Sequence, residues 1–158
     1  MTPLDASDCG RGGRIVRRVL VVAMILMSGG ICAADLAGGN DVVVVVSARH
    51  PLTALSRSEL TDIFLGRSRR FPDGGEAIPV DLRGDAKART AFYSAYLGRS
   101  AAQMKAYWSK LIFTGRGAPP REVVDAVEMR RLVAEDPRSI GYLERSLAND
   151  TVKILRIE

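Results

Sequence analysis

Five valines stand in a row from Val42 to Val46, and no other stretch limits the fold of this chain as strictly. Consecutive β-branched residues lose side-chain freedom in a helix and suit a pleated strand. The run has no alternation of apolar and polar positions, so the strand has two apolar faces and needs cover on both. It predicts a central strand of a sheet with helices packed against it.

The helices that could supply the cover are punctuated in the sequence. Ser56 and Glu59 have the spacing of a capping box, in which each side chain satisfies a free backbone donor of the other residue. Leu60, Ile63 and Phe64 then form one apolar stripe and Gly66 supplies the stop, with Leu55 outside as a staple. Ser100 with Gln103 repeats the box and starts a helix to about Ile112, with Met104, Trp108, Leu111 and Ile112 turned inward. Asp125 with Glu128 opens a third, which ends near Asp136 before Pro137 and buries Met129, Leu132 and Val133. A fourth helix, Ala86 to Leu97, is capped by Asp85, uses Ala88, Phe92 and Tyr96 inside, and stops at Gly98. Strands are expected at Ile78 to Leu82, where Pro79 suggests an edge or a strand start, at Ser139 to Tyr142, and within Thr151 to Ile157. Loops with turn chemistry lie between, at Arg67 to Gly75 and Thr114 to Pro120. The alternation gives an α/β domain with a small mixed sheet flanked by helices.

Residues 1–34 read as a secretory signal peptide. Arg11, Arg14, Arg17 and Arg18 precede a short apolar run, Val19 to Met27, and Cys32-Ala33-Ala34 offers small residues to a signal peptidase. Cleavage after Ala34 is expected, in preference to lipidation of Cys32 or a twin-arginine signal at Arg17-Arg18. Residues 35–41 are a flexible lead and 42–158 the domain, placed in the periplasm. Cleavage lowers Lys plus Arg from 23 to 19 and Asp plus Glu from 18 to 16, so the net charge falls from +5 to +3. A charge that small is no nucleic-acid footprint. Both cysteines, Cys9 and Cys32, fall in the removed part, which leaves no disulfide and no thiolate metal site.

No enzyme and no cofactor are expected. His50 is the only histidine, beside Pro51, and reads as a loop residue; no nucleophile elbow, P-loop or dinucleotide fingerprint is present. Glu59 and Asp62 share a helix side as solvated acids, and Trp108 shares its face with Met104 and Leu111 as core. Anion binding has more material. Arg83 and Asp85 follow a strand and precede a helix, and Lys87 and Arg89 lie in that helix's first turn, where cations oppose the dipole unless an anion is held there. The alternative is a set of surface charges with Asp85 as a simple cap. Thr114 and Arg116, the latter between Gly115 and Gly117, form a second candidate beside the alternative of a helix-ending loop.

Taken together, Leu55-Ser56-Arg57-Ser58-Glu59-Leu60-Thr61-Asp62-Ile63-Phe64-Leu65-Gly66, Phe71-Pro72-Asp73-Gly74, Ile78-Pro79-Val80-Asp81, Tyr107-Trp108 with Phe113-Thr114-Gly115, and Ile140-Gly141-Tyr142 resemble, in order and spacing, the phosphate-binding-protein family of type 2 periplasmic substrate-binding proteins, specifically its small single-domain members. The resemblance implies a periplasmic-binding-protein-like single lobe, phosphate or another small oxyanion as ligand, and an ABC importer as partner. Where larger members carry Arg-Ser-Asp-x-Ser-Gly-Thr, Arg83 and Asp85 match and Lys87 and Arg89 replace neutral donors by charge. A homodimer would supply the missing second wall of the cleft. The rival expectation is a ligand-free envelope interaction or sensory accessory module that keeps the fold.

Overall fold

The structure is a computed structural model that describes residues 41–84 and 86–158. The expected signal peptide, the lead up to residue 40 and Asp85 lie outside the described residues. The elements are β1 (Val42–Ser47), β2 (Ala54–Leu55), α1 (Arg57–Phe64), β3 (Ile78–Leu82), α2 (Lys87–Phe92) running into a π turn (Tyr93–Leu97), α3 (Ala101–Phe113), β4 (Arg121–Val123), α4 (Ala126–Glu135), β5 (Ser139–Glu144), a 3-10 turn (Arg145–Leu147), β6 (Val152–Ile154) and β7 (Arg156–Ile157).

β1 to β7 form a five-stranded mixed sheet in the order β4-β3-β5-β1-β6 and a separate parallel pair, β2-β7. β1 is antiparallel to β5, with Val44 opposite Tyr142, and to β6, with Val46 opposite Lys153. All five valines are buried. The strand is interior but lies one place from the edge, shielded there only by the three residues of β6.

Neighbouring residues of β5 show how both faces are covered. A Cβ added at Gly141 would lie 2.5 Å from the Met129 sulfur and 3.1 Å from Val133, so α4 presses on that face. Tyr142 stacks on Phe92 of α2 at 4.0 Å between ring centroids, and Phe64 of α1 lies 4.7 Å from Phe92. Because adjacent strand residues point to opposite faces, α1 and α2 cover one side and α4 the other.

The capping boxes at Ser56 and Ser100 form as read: Ser56 N–H donates to Glu59 at 2.9 Å, and Ser100 N–H to Gln103 at 2.8 Å. At α4 the Asp125 carboxylate accepts from Glu128 N–H at 2.8 Å, but Glu128 reaches one residue further back, to Val124 N–H at 2.9 Å.

Three expectations are corrected and one strand is added. β3 is interior, between β4 and β5, so of the two alternatives for Pro79 the edge is excluded and the strand start holds; the proline is tolerated there because the β4 ladder starts only at Val80, so no bond to that neighbour is lost. β4 itself was not foreseen. The N-cap position of α2 is Ala86, without a side-chain cap, rather than Asp85. Ile112 is 56% exposed, because α3 docks only by the Met104 and Trp108 stripe with Leu111 at its margin. In the π turn Tyr93 is buried, and Tyr96 is half-buried with its hydroxyl donating to Val42 O at 2.9 Å.

Candidate functional site

The turn after β3 was the leading sequence candidate, and its arginines differ in employment. Asp81, 2% exposed, ends up under the α2 helix and accepts from the hydroxyls of Tyr93 and Tyr142 and from Leu82 N–H at 2.9 Å. Arg89 reaches back over this carboxylate at 3.1 Å and over Glu122 of β4 at 3.5 Å. Its remaining donors go to the Tyr93 hydroxyl and to Gly84 O, both at 2.9 Å. Burial works against the Arg89 charge, but Asp81 and Tyr93 outweigh it and hold the guanidinium above its ordinary pKa. Burial, then the Asp81 charge, pushes the Tyr93 and Tyr142 phenols well up, so both stay protonated and keep donating. Arg89 is thus committed to the protein's own buried carboxylate.

Arg83 and Lys87 are exposed. The Arg83 side chain is 67% exposed, and only its Nε lies within 3.9 Å of Glu122. Thr114, at the C-terminal cap of α3, turns its hydroxyl back to Lys110 O at 2.9 Å and Leu111 O at 3.2 Å. Of the anion-binding candidates among the described residues, Arg116 alone lines a large cleft.

That cleft, about 430 Å³, opens at the other end of β3. Ile78 and Pro79 line it, with the turn after α1, one face of α3, and the Arg116 to Arg121 segment that leads into β4. Its apolar lining includes Tyr107, Trp108, Leu111 and Pro119. Trp108 is held close by two glycines: a Cβ at Gly66, whose φ is +67°, would lie 2.9 Å from its ring, and one at Gly117 would lie 3.7 Å away. The Tyr107 hydroxyl donates to Leu65 O at 2.8 Å and fixes the second ring, 5.2 Å from the indole. Trp108 Nε1 is the one buried side-chain polar atom without a partner among the described residues.

Four arginines, Arg67, Arg69, Arg116 and Arg121, line the cleft with a single acid, Glu76. Glu76 is paired with Arg138 at 3.1 Å, and Arg67 with Asp62 at 3.3 Å. Arg69, Arg116 and Arg121 form no ion pair among the described residues. The arrangement suits electrostatic and bidentate capture of an anion over an apolar floor. The sequence did present Arg67-Ser68-Arg69-Arg70 as a basic loop. Its meeting with Arg121, more than fifty residues on, depends on β4 pairing with β3.

This α/β arrangement matches the fold of a part of solved substrate-binding proteins of phosphate ABC transport. An ABC-type phosphate transport receptor from Vibrio cholerae superposes with a TM-score of 0.59 at 19% identity, over 74% of this chain and 46% of that one. A putative phosphate ABC transporter substrate-binding protein with bound phosphate from Clostridium perfringens gives 0.60 at 16% identity, over 74% and 44%. PstS from Borrelia burgdorferi gives 0.54 at 13%, over 75% and 47%. The chain therefore spans less than half the length of the solved structures it matches. No family model and no curated protein matches the sequence. Among the described residues no helix is long and apolar enough to cross a membrane.

Proposed function

We propose that this chain is a non-enzymatic solute-binding component of the periplasm, exported through a cleaved signal peptide, that holds phosphate or a related oxyanion for an ABC-type importer. The observation that carries the reading is the gathering of Arg67, Arg69, Arg116 and Arg121 on one cleft whose only acid is already paired. The fold shared with phosphate-transport binding proteins supports the same direction. Arg83 on the turn after β3 and Lys87 at the first position of α2, both exposed, are the second candidate anchor, with Asp85 between them in sequence. Thr114 has spent its donor on the helix and Arg89 its donors on Asp81, Glu122, Tyr93 and Gly84.

Calorimetric titration with phosphate and sulfate tests the reading. Binding is expected, weakening as salt screens the exposed arginines. Loss in Arg116→Ala with retention in Arg83→Ala assigns the ion to the cleft, and the reverse assigns it to the turn. Absence of heat with either ion at millimolar concentration sinks the proposal.

A second reading, an envelope interaction module or a homodimer, is favoured by Phe113, which is 94% exposed at the end of α3 next to Ile112. Two adjacent large apolar side chains exposed at one helix end make a contiguous apolar surface, the kind that marks interaction sites when it is extended. Sedimentation of the wild type and of Phe113→Ser decides it: a concentration-dependent assembly that the substitution abolishes supports the reading, and a monomer throughout removes the homodimer.

A further inference from the structure

The cleft has a chemistry that an inorganic ion does not use. Phosphate or sulfate is hydrophilic over its whole surface, and gains nothing from an indole, a phenol ring, a leucine and prolines. The volume, about 430 Å³, lies in the range of sites for small organic molecules and is several times larger than a single tetrahedral ion needs. Trp108 lines it at 7% exposure, seated against Gly66 and Gly117, and its Nε1 lacks any partner. Tyr107 is pinned beside it by its hydroxyl bond. The floor is therefore rigid and apolar, while the charge is confined to exposed arginines at the rim, on the loops at Arg67, Arg69 and Arg116 and at the start of β4 at Arg121. Such a division matches a ligand with two ends, an apolar ring for the floor and an acid group for the arginines.

We infer that the cleft between α3 and the start of β3 binds an organic anion, a carboxylate or phosphate monoester on a flat apolar ring, with the ring against Trp108 and Tyr107 and the acid group at Arg116 and Arg121. The inference rests on the anion-binding reading above and narrows its ligand class.

Trp108 is the only tryptophan in the chain, so its emission reports on this cleft alone. The protein is titrated with phenyl phosphate, inorganic phosphate and benzyl alcohol. Phenyl phosphate is expected to shift the emission and to bind on the order of tenfold or more tighter than inorganic phosphate, from burial of the ring. Arg116→Ala and Arg121→Ala should each weaken it several-fold, and added salt should do the same. Equal affinity for phenyl phosphate and inorganic phosphate overturns the inference and leaves the oxyanion reading intact. Silence toward every anion removes both. Benzyl alcohol binding as tightly as phenyl phosphate, or indifference of phenyl phosphate to both arginine variants, overturns the assignment of the acid group.

Discussion

Asp81 shows how a single buried carboxylate dictates the duties of its neighbours. A charge almost without exposure persists only when paired and hydrogen-bonded, and here two phenols, one amide and one guanidinium do this. Arg89→Ala strands that charge, and denaturant titration should show a loss of about 3 kcal/mol. Arg83→Ala, at a side chain 67% exposed, should stay within about 0.5 kcal/mol. Equal losses would mean that Arg89 is not the residue that compensates Asp81. The pair also shows where residue-level reading stops: Arg83 and Arg89 look alike in a sequence and both lie near Glu122, and only the meeting of Arg89 with Asp81 and Tyr93 tells them apart.

His50 gives a second prediction at this scale. It is buried, edge-on to Phe71 at 4.5 Å, and its Nδ1 accepts from Leu52 N–H at 3.2 Å. Burial lowers its pKa below the ordinary histidine value of 6.5, Asp73 opposing and Lys153 assisting. The folded state therefore binds fewer protons than the unfolded chain between that lowered value and 6.5. Its contribution is full above about pH 6.5 and is lost as pH falls through the folded pKa. Unfolding free energies of the wild type should drop over that interval by more than those of His50→Gln; parallel curves would contradict the assignment.

At the scale of elements, what was readable is what the chain settles locally. Ser56 with Glu59, Ser100 with Gln103 and Asp125 with Glu128 place three helix starts correctly, because a cap is satisfied within four residues. β4 escaped notice because three residues, Arg121 to Val123, carry no periodicity and owe their extended form to β3. Pro79 left edge and strand start undecided for a related reason, since its cost depends on which neighbour begins pairing where. Among the described glycines, Gly141 is the one where an added Cβ would come nearest another side chain, α4 lying against β5 there. Gly141→Ala should cost about 1–3 kcal/mol through overpacking against Met129 and Val133, measured as a fall in the unfolding midpoint. A neutral result would mean that α4 can withdraw from the sheet cheaply.

For the whole molecule, the core must carry stability alone once the expected signal peptide is removed, because Cys9 and Cys32 are the only cysteines. The unfolding midpoint of the secreted form should be the same with and without a thiol reductant, and any difference would place cleavage before Cys32. The α/β class and the mixed sheet were legible because helices and strands announce themselves by period and punctuation, and the likeness to substrate-binding proteins because stretches such as Leu55 to Gly66 and Ile140-Gly141-Tyr142 resemble that family in order and spacing. The cleft was not. Its arginines come from positions 67, 69, 116 and 121, and nothing local to any of them shows that α3 and β4 bring them together.

The pairing of β1 has a consequence in time. Its two partners are β5 and β6, so Val42 meets Glu144 and Val46 meets Lys153 across a hundred residues of intervening chain. Until those strands are made and delivered, five uncharged β-branched residues have both edges unpaired, the composition that self-associates most readily. Contacts of such sequence separation also form slowly. On sequence separation, the segment that most narrowly dictates the architecture should be among the last to be secured, and under the proposed export a chain held extended would keep it apart from its partners until folding can run to completion.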